Sequence, residues 1–538
     1  MLLQGLLVTA VTLRIVHNLL LTWRGIRIFP ESIPWIGRQE EYLSRLRACA
    51  REIFAGLESL KAGYDKYSIQ GQCFVLPDAG FRPQVMIPPE HIRWFSELPE
   101  TILAAHGPLR EIVGIPYLVP TMDMKHDMYI MDVVRKELTR NLGRLQPDVF
   151  YDLKESVDSL LGTDQENWRH IPLYETMQET LFKSSNRVFV GSPLCRNNVF
   201  LHSLATFANL LGIGAVFVGE LLPLVLKPVF GYMLALPIYI AQALALRYLV
   251  PEIKQRMANI RRKRSDPAFD WNEPKDMLMW IVIAAMDRQD PKADRPEMIA
   301  HGLLFLMLGG IHTSIMTSVN VLLDLLSSPP EFAYYSRLRE EADVVFAKSE
   351  DWENQASLAK LTYTDSAIRE SLRMSPVITR TGFRVVKKKD GLDMPNGEKI
   401  PRGAWLAVPS ARVHYDERFY PKAQLYEPFR FVPTAVKDPA EFEVTTDSKN
   451  LGEHDSTASK QRRYQGLSTA SETYLAFGYG RHSCPGRWFV ALQLKLLVAY
   501  IVSHYDIERL DCRPLNRIIG THVVPPPVTV KVRRREGR

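Results

Sequence analysis

Phe477-Gly-Tyr-Gly-Arg-His-Ser-Cys484-Pro-Gly486 is the stretch on which the fold turns. A glycine-rich turn runs into a cysteine, and an apolar helical pattern, RWFVALQLKLLVAYIV, begins at Arg487. The start of a helix offers free backbone N–H groups and the positive end of its dipole, so a sulfur placed there is expected to be held readily as thiolate. Gly478, Gly480 and Gly486 let the backbone approach a flat ligand closely. Phe477 can shield the sulfur from water, and His482, two residues before the cysteine, can meet an anionic group at the ligand's rim. A cysteine in a glycine-rich loop also occurs at ordinary turns and reactive thiols, so its meaning depends on the rest of the chain.

Two upstream motifs supply that context. Glu370-Ser-Leu-Arg373 puts a carboxylate and a guanidinium at i and i+3 on one helix face, an everyday pair by itself. It is followed by Tyr426-Glu-Pro-Phe-Arg430-Phe, which brings a second arginine. Further upstream, Arg295 to Ser328 is apolar nearly all round and stops at Pro329-Pro330, which predicts a helix threaded through a core. In its middle stands Gly309-Gly-Ile-His-Thr313-Ser314. Each mid-helix glycine costs about 1 kcal/mol relative to alanine, which a close-packed ligand face and a local opening of the helix would offset.

Taken together, the three motifs resemble those of the cytochrome P-450 family. The resemblance is patchy before residue 186 and dense after 300. It implies a mainly α fold with a small β region, and haem b held between the Thr313 helix and the Cys484 loop, with Cys484 as axial ligand to the iron. Glu370, Arg373 and Arg430 would form a structural Glu–Arg–Arg network that fixes the cysteine loop. Thr313 would hydrogen-bond dioxygen, with Ser314 or water relaying protons. His312 stands where the family usually has an acid, and a histidine near neutrality can pass protons in that place. His482 replaces the usual arginine, and Arg380 matches a position where relatives contact a haem propionate. The family's W-x-x-x-R propionate motif is missing; Arg135 and Arg140 are both open as substitutes. The I-H-T variant, the G-R-H form of the loop and the stretch Asn186–Asn197 are similar to fungal microsomal secondary-metabolism enzymes, diterpene oxidases among them.

The N-terminus, MLLQGLLVTAVTLRIVHNLLLTW, is long enough to cross a bilayer as one helix, with a helix lying in the membrane interface as the alternative. Arg24 and Arg27 follow it and predict a cytosolic catalytic body. The expected organisation is an anchor over residues 1–24, a proline-containing linker over 25–37 and a catalytic domain over 38–538. An apolar run at about 201–249, broken by Glu220, Pro223, Lys227, Pro228 and Pro237, reads as a membrane-facing substrate-access region. A polar stretch at about 436–471 reads as an insertion loop.

The chain has 538 residues, 46% hydrophobic and 24% charged, as expected of a protein with a large core. Its net charge of +7 comes with no aromatic-interleaved basic stripe, which excludes a nucleic-acid reader. Five dispersed cysteines without a C-x-x-C pair argue against a disulfide scaffold and for a reducing compartment. The resemblance implies a monomeric monooxygenase of the endoplasmic reticulum membrane that uses O2 on an apolar small molecule, a terpenoid or similar metabolite. Its electrons would come from NADPH through a flavoprotein reductase. The rival readings are a haem-thiolate isomerase or dehydratase that does not use O2, a non-catalytic haem sensor, and a multi-spanning transporter.

Overall fold

A computed structural model describes residues 2–120, 128–288, 290, 292, 294–433 and 465–537. The principal helices are α1 (Leu2–Arg27), α2 (Leu142–Leu161), α3 (Leu173–Phe189), α4 (Asn198–Gly214), α5 (Lys227–Ser265), α6 (Pro296–Leu326), α7 (Thr362–Met374) and α8 (Arg487–His504). Helix α6 starts with proline at its first position and Glu297 in its first turn, and it ends at Ser327 just before the two prolines. Its 31 residues span about 46 Å. They pack against α3, α4, α5, α7 and α8, so the all-round apolar pattern is used inside the protein. Helix α8 is buried almost continuously from Leu492 to Ser503. Together these helices build one large core.

A smaller core surrounds a five-stranded sheet. Its strands are β1 (Phe74–Leu76), β2 (Gln84–Met86), β3 (Leu103–Ala104), β4 (Thr381–Val386) and β5 (Trp405–Val408), in the order β1-β2-β5-β4-β3. Strands β2 and β5 run parallel with Val85 opposite Leu406, while β4 pairs antiparallel to β5 with a bulge between Thr381 and Arg384. A hairpin of β6 (Arg517–Ile519) and β7 (His522–Val524) lies against residues 377–379 through the Ile378–His522 bridge.

Helix α1 runs three residues past the expected end of the anchor, to Arg27. Its polar side faces the protein: Asn18 is 1% exposed and donates from Nδ2 to the Leu224 carbonyl (2.7 Å) and to the Tyr117 hydroxyl (3.0 Å). Leu13, Val16, Leu20 and Trp23 face outwards. The proline-containing segment is packed, with Phe29, Ile33 and Trp35 buried in the sheet core. Most of the polar stretch at 436–471 lies outside the described residues.

Candidate active site

The cysteine loop closes on itself through the Cys484 N–H, which donates to the Phe477 carbonyl at 2.7 Å, and the Gly478 N–H, which donates to Leu475 at 2.8 Å. Gly480 has φ +72°, and a Cβ there would lie 2.9 Å from the Ser96 side chain, so the loop needs glycine at that point. Helix α8 begins at Arg487, and its first N–H groups, those of Gly486 and Arg487, favour the ionised sulfur. Arg487 donates to the Cys484 carbonyl (2.8 Å) and to Ser483 Oγ (3.2 Å) while its guanidinium lies over Trp488.

Burial nevertheless outweighs these N–H groups and the Arg487 charge, and the Cys484 thiol is pushed up. A cation against the sulfur would act with these N–H groups, favouring the ionised form against burial.

Behind the loop sits the predicted network. Arg373 grips Glu370 with two bonds of 2.8 Å, and both side chains are fully buried. Arg430 reaches the same carboxylate at 3.0 Å. Arg373 also donates to the carbonyls of His414 (2.6 Å) and Ala423 (2.8 Å).

Two residues missed in the sequence carry this network forward to the loop. His414 lies 3.1 Å from the Arg373 carbonyl through Nδ1 and accepts the Leu475 N–H on Nε2 at 2.8 Å. Burial, with the charge of Arg373 adding to it, pushes its pKa down to about 3, so the ring is neutral. Arg369 donates to the Gly466 and Thr469 carbonyls and stacks 3.7 Å over the Tyr474 ring. The network thus holds the chain on its approach to Phe477.

On the opposite wall is the Gly309–Ser314 segment. Its helix is regular throughout, and the expected opening is absent among the described residues of α6. The hydroxyls add bonds inside the helix rather than across an opening: Thr313 Oγ1 donates back to the Gly309 carbonyl and Ser314 Oγ to Gly310, both at 3.1 Å. Phe305, Leu308, Gly309, His312, Thr313 and Met316 are partly accessible or exposed in an otherwise buried helix, and their spacing puts them on one stripe. A Cβ at Gly309 or at Gly486 would meet no atom within 4 Å. At Gly310 it would lie 3.1 Å from Phe189, whose ring meets that of Phe489 on α8 at 6.2 Å. One aromatic contact therefore spaces the α6 stripe from the cysteine-bearing element. Open space at both glycines suits a flat ligand.

His312 lies on the same stripe and reaches across to α4. Burial lowers its pKa, opposed by the Ala208 carbonyl of α4, so a neutral ring braces α6 against α4.

The positions expected at the ligand's rim separate into two groups. Arg380 stands with Asp78, 3.5 Å away, in a different charged cluster. Arg384, unnoticed in the sequence, is 5% exposed, and among the described residues it donates to the Phe383 carbonyl at 3.2 Å. Burial first and then the Arg384 charge push the His482 pKa down to about 4, and Arg135 and His106 act in the same direction. Arg135 also donates to the Arg481 carbonyl at 3.1 Å, which ties the loop to its neighbour. Cations thus crowd on His482 with Glu100 as the nearby acid, 3.2 Å from Nε2, a donor set that suits an anionic rim. Nothing comparable gathers Arg140, which pairs with Glu137 at the surface.

The chain is similar to known proteins. A family model described as Cytochrome P450 matches residues 151–533. The chain is 36% identical over 510 residues to cytochrome P450 monooxygenase polB of Polytolypa hystricis, covering 94% of each chain. It is 35% identical to cytochrome P450 monooxygenase lnaC of Aspergillus flavus, covering 94% of this chain and 93% of that one. With nodZ of Hypoxylon pulicicidum, also a cytochrome P450 monooxygenase, the identity is 34% and the coverage 92% and 90%. Among solved structures, the chain is similar to retinoic acid-bound cyanobacterial CYP120A1, with a TM-score of 0.62 and 17% identity over 90% of this chain and 96% of that one.

Proposed function

The chain belongs to the cytochrome P450 family and is a monooxygenase of it, and from that premise we propose that it inserts one oxygen atom from O2 into an apolar small molecule, with a fungal terpenoid or related secondary metabolite as the substrate class. The observation that carries this reading is the joining of three motifs: a cysteine loop fixed by Glu370, Arg373 and Arg430, facing a helix that presents Gly309 and Thr313 to open space.

In this reading Cys484 Sγ holds the iron of haem b, His482 and Arg384 meet its propionates, and Gly309 and Gly486 leave room for its faces. Haem bound there would supply the chemistry of oxygen reduction and substrate oxidation, with Cys484 as its thiolate donor. Phe477 screens the sulfur from water. Thr313 Oγ1, now donating to Gly309, turns to donate into the site and is resupplied with protons through Ser314 Oγ or water. Neutral His312, anchored on Ala208, carries protons on its second ring nitrogen. Phe305, Leu308, Val377 and Ile378, all partly accessible, orient an apolar substrate by contact.

Electrons come from NADPH through a membrane-bound flavoprotein reductase docking on the cysteine side. Outward-facing apolar residues of α1 and α5 support association with a membrane; in this reading it is that of the endoplasmic reticulum, with Arg24 and Arg27 on the cytosolic side.

The test is turnover of a panel of terpenoids with reductase, NADPH and isotopically heavy O2. The reading expects products that gain a single heavy oxygen atom and require NADPH. Products formed without NADPH and without label would point instead to an isomerase or dehydratase.

A further inference from the structure

Two charged residues, Glu220 and Lys227, interrupt the apolar run where α4 leads into α5, and both are buried. Glu220 sits in a π-helical turn, Ala215–Leu221, and is 7% exposed. Such turns are uncommon and concentrate at functional sites. Its carboxylate does not serve its own segment. It accepts the Thr521 N–H at 2.6 Å and the Thr521 hydroxyl at 2.8 Å, and His522 Nδ1 lies 3.3 Å away. Thr521 and His522 lie at and just after the turn of the β6–β7 hairpin.

That hairpin hangs on the wall of the substrate site: the Thr379 N–H donates to the Thr521 carbonyl at 2.7 Å, and the Val523 N–H donates to Val377 at 3.0 Å.

Both sides are shaped for this approach. Gly520, at φ +61°, is where a Cβ would lie 2.3 Å from the Glu220 carboxylate. A Cβ at Gly219 would lie 1.7 Å from the Ile112 carbonyl. Lys227, 1% exposed at the start of α5, donates to the Gly219 carbonyl at 2.6 Å and pins the turn from behind. Burial pushes the Glu220 carboxyl up, but His522 and the Thr521 donors outweigh it and keep the group ionised. In the turn and beyond it the chain presents apolar residues outwards, with Phe217, Leu226 and Phe230 each at least 40% exposed.

We propose that Glu220, Thr521 and His522 form a latch between the membrane-side roof (residues 215–227) and the β6–β7 hairpin, and that its opening sets the rate at which bulky apolar molecules reach the substrate site. This rests on the haem-monooxygenase reading above. Glu220 is then a positioning residue that touches neither substrate nor cofactor. A small polar probe need not part roof from hairpin, whereas a bulky apolar one must.

The experiment compares the parent with Glu220→Gln, in full-length haem-loaded protein, by stopped-flow spectral titration with imidazole and with clotrimazole. Losing a charge-assisted bond predicts a roughly tenfold or greater rise in clotrimazole association rate, an imidazole rate within about twofold, and an unchanged reduced carbon-monoxide spectrum. Equal changes for both azoles, or no change for clotrimazole in a variant with an intact spectrum, overturn the latch. Where Glu220→Gln fails to fold, Thr521→Val replaces it under the same expectations. Hydrogen exchange on the same proteins needs no bound haem: the latch expects residues 215–227 and 517–524 to open together in the variant while α8 stays protected, and loosening of one segment alone overturns it. Absence of any azole shift in the parent would instead count against the haem reading and leave the exchange result to decide the latch.

Discussion

His414 shows how far a single side chain can carry a motif. Its carbonyl accepts from Arg373 and its ring accepts from the Leu475 N–H, so it transmits the Glu370–Arg373 lock to the cysteine loop. Folded, it stays neutral down to about pH 3, whereas in the unfolded chain an ordinary histidine takes up a proton near 6.5. Because the folded pKa lies below the unfolded one, acid favours unfolding through this residue. Stability falls by about 1.4 kcal/mol for each pH unit below about 6.5, down to the folded value of about 3. Denaturant unfolding at pH 7 and pH 5 checks this: His414→Gln should flatten the acid loss by about 2 kcal/mol, and an unchanged slope would contradict the assignment. At Arg384, glutamine in place of the guanidinium is expected to weaken haem retention on gel filtration, with Arg380→Gln having the smaller effect. Neither His414 nor Arg384 was legible in the sequence. Each is a lone residue outside any motif, and Arg384 follows a β-bulge that breaks the alternation by which a strand's inward face is read. Glu370, Arg373, Arg430 and Cys484 were legible through the resemblance of their motifs to a known family, and of their contacts the spacing alone encodes just the i, i+3 pair of Glu370 and Arg373.

Among elements, α6 was read correctly as a buried helix and incorrectly as a locally opened one. Apolar periodicity reports which faces are covered, but it does not report where a hydroxyl sends its proton, and Thr313 and Ser314 send theirs back to Gly309 and Gly310. The glycine pair then separates into two roles. At Gly309 an added Cβ meets nothing, while at Gly310 it presses on Phe189 at 3.1 Å. Gly309→Ala should therefore stabilise the chain by up to about 1 kcal/mol in urea unfolding while lowering ligand affinity, because the methyl projects into open space. Loss of stability there would contradict the placement. Helix α7 carries the opposite expectation: Glu370→Ala leaves Arg373 buried and uncompensated, which should destabilise the fold by about 3–5 kcal/mol in urea. A loss under about 1 kcal/mol would mean the pair is not buried as described.

For the molecule as a whole, three described helices are long and apolar enough to cross a membrane (198–221, 227–265 and 296–326), and composition alone kept a transporter in play. Packing separates them. The last threads the core, whereas α5 presents Phe230, Met233, Leu236 and Ile240 outwards beside α1. Amphipathicity of α1 was hard to read in sequence because it is inverted, with Asn18 and Thr22 inward and leucines outward. A chain lacking residues 1–27 is accordingly expected to remain partly bound to anionic vesicles in flotation, through the α5 face. Complete release would leave α1 as the sole membrane contact.

The central claim, that Cys484 is the thiolate ligand in a haem-binding fold, is tested most directly by the reduced carbon-monoxide difference spectrum of the purified protein beside Cys484→Ala. A red-shifted Soret band in the parent, abolished in the variant, is the result expected. Absence of haem, or a band unmoved by the substitution, would contradict it.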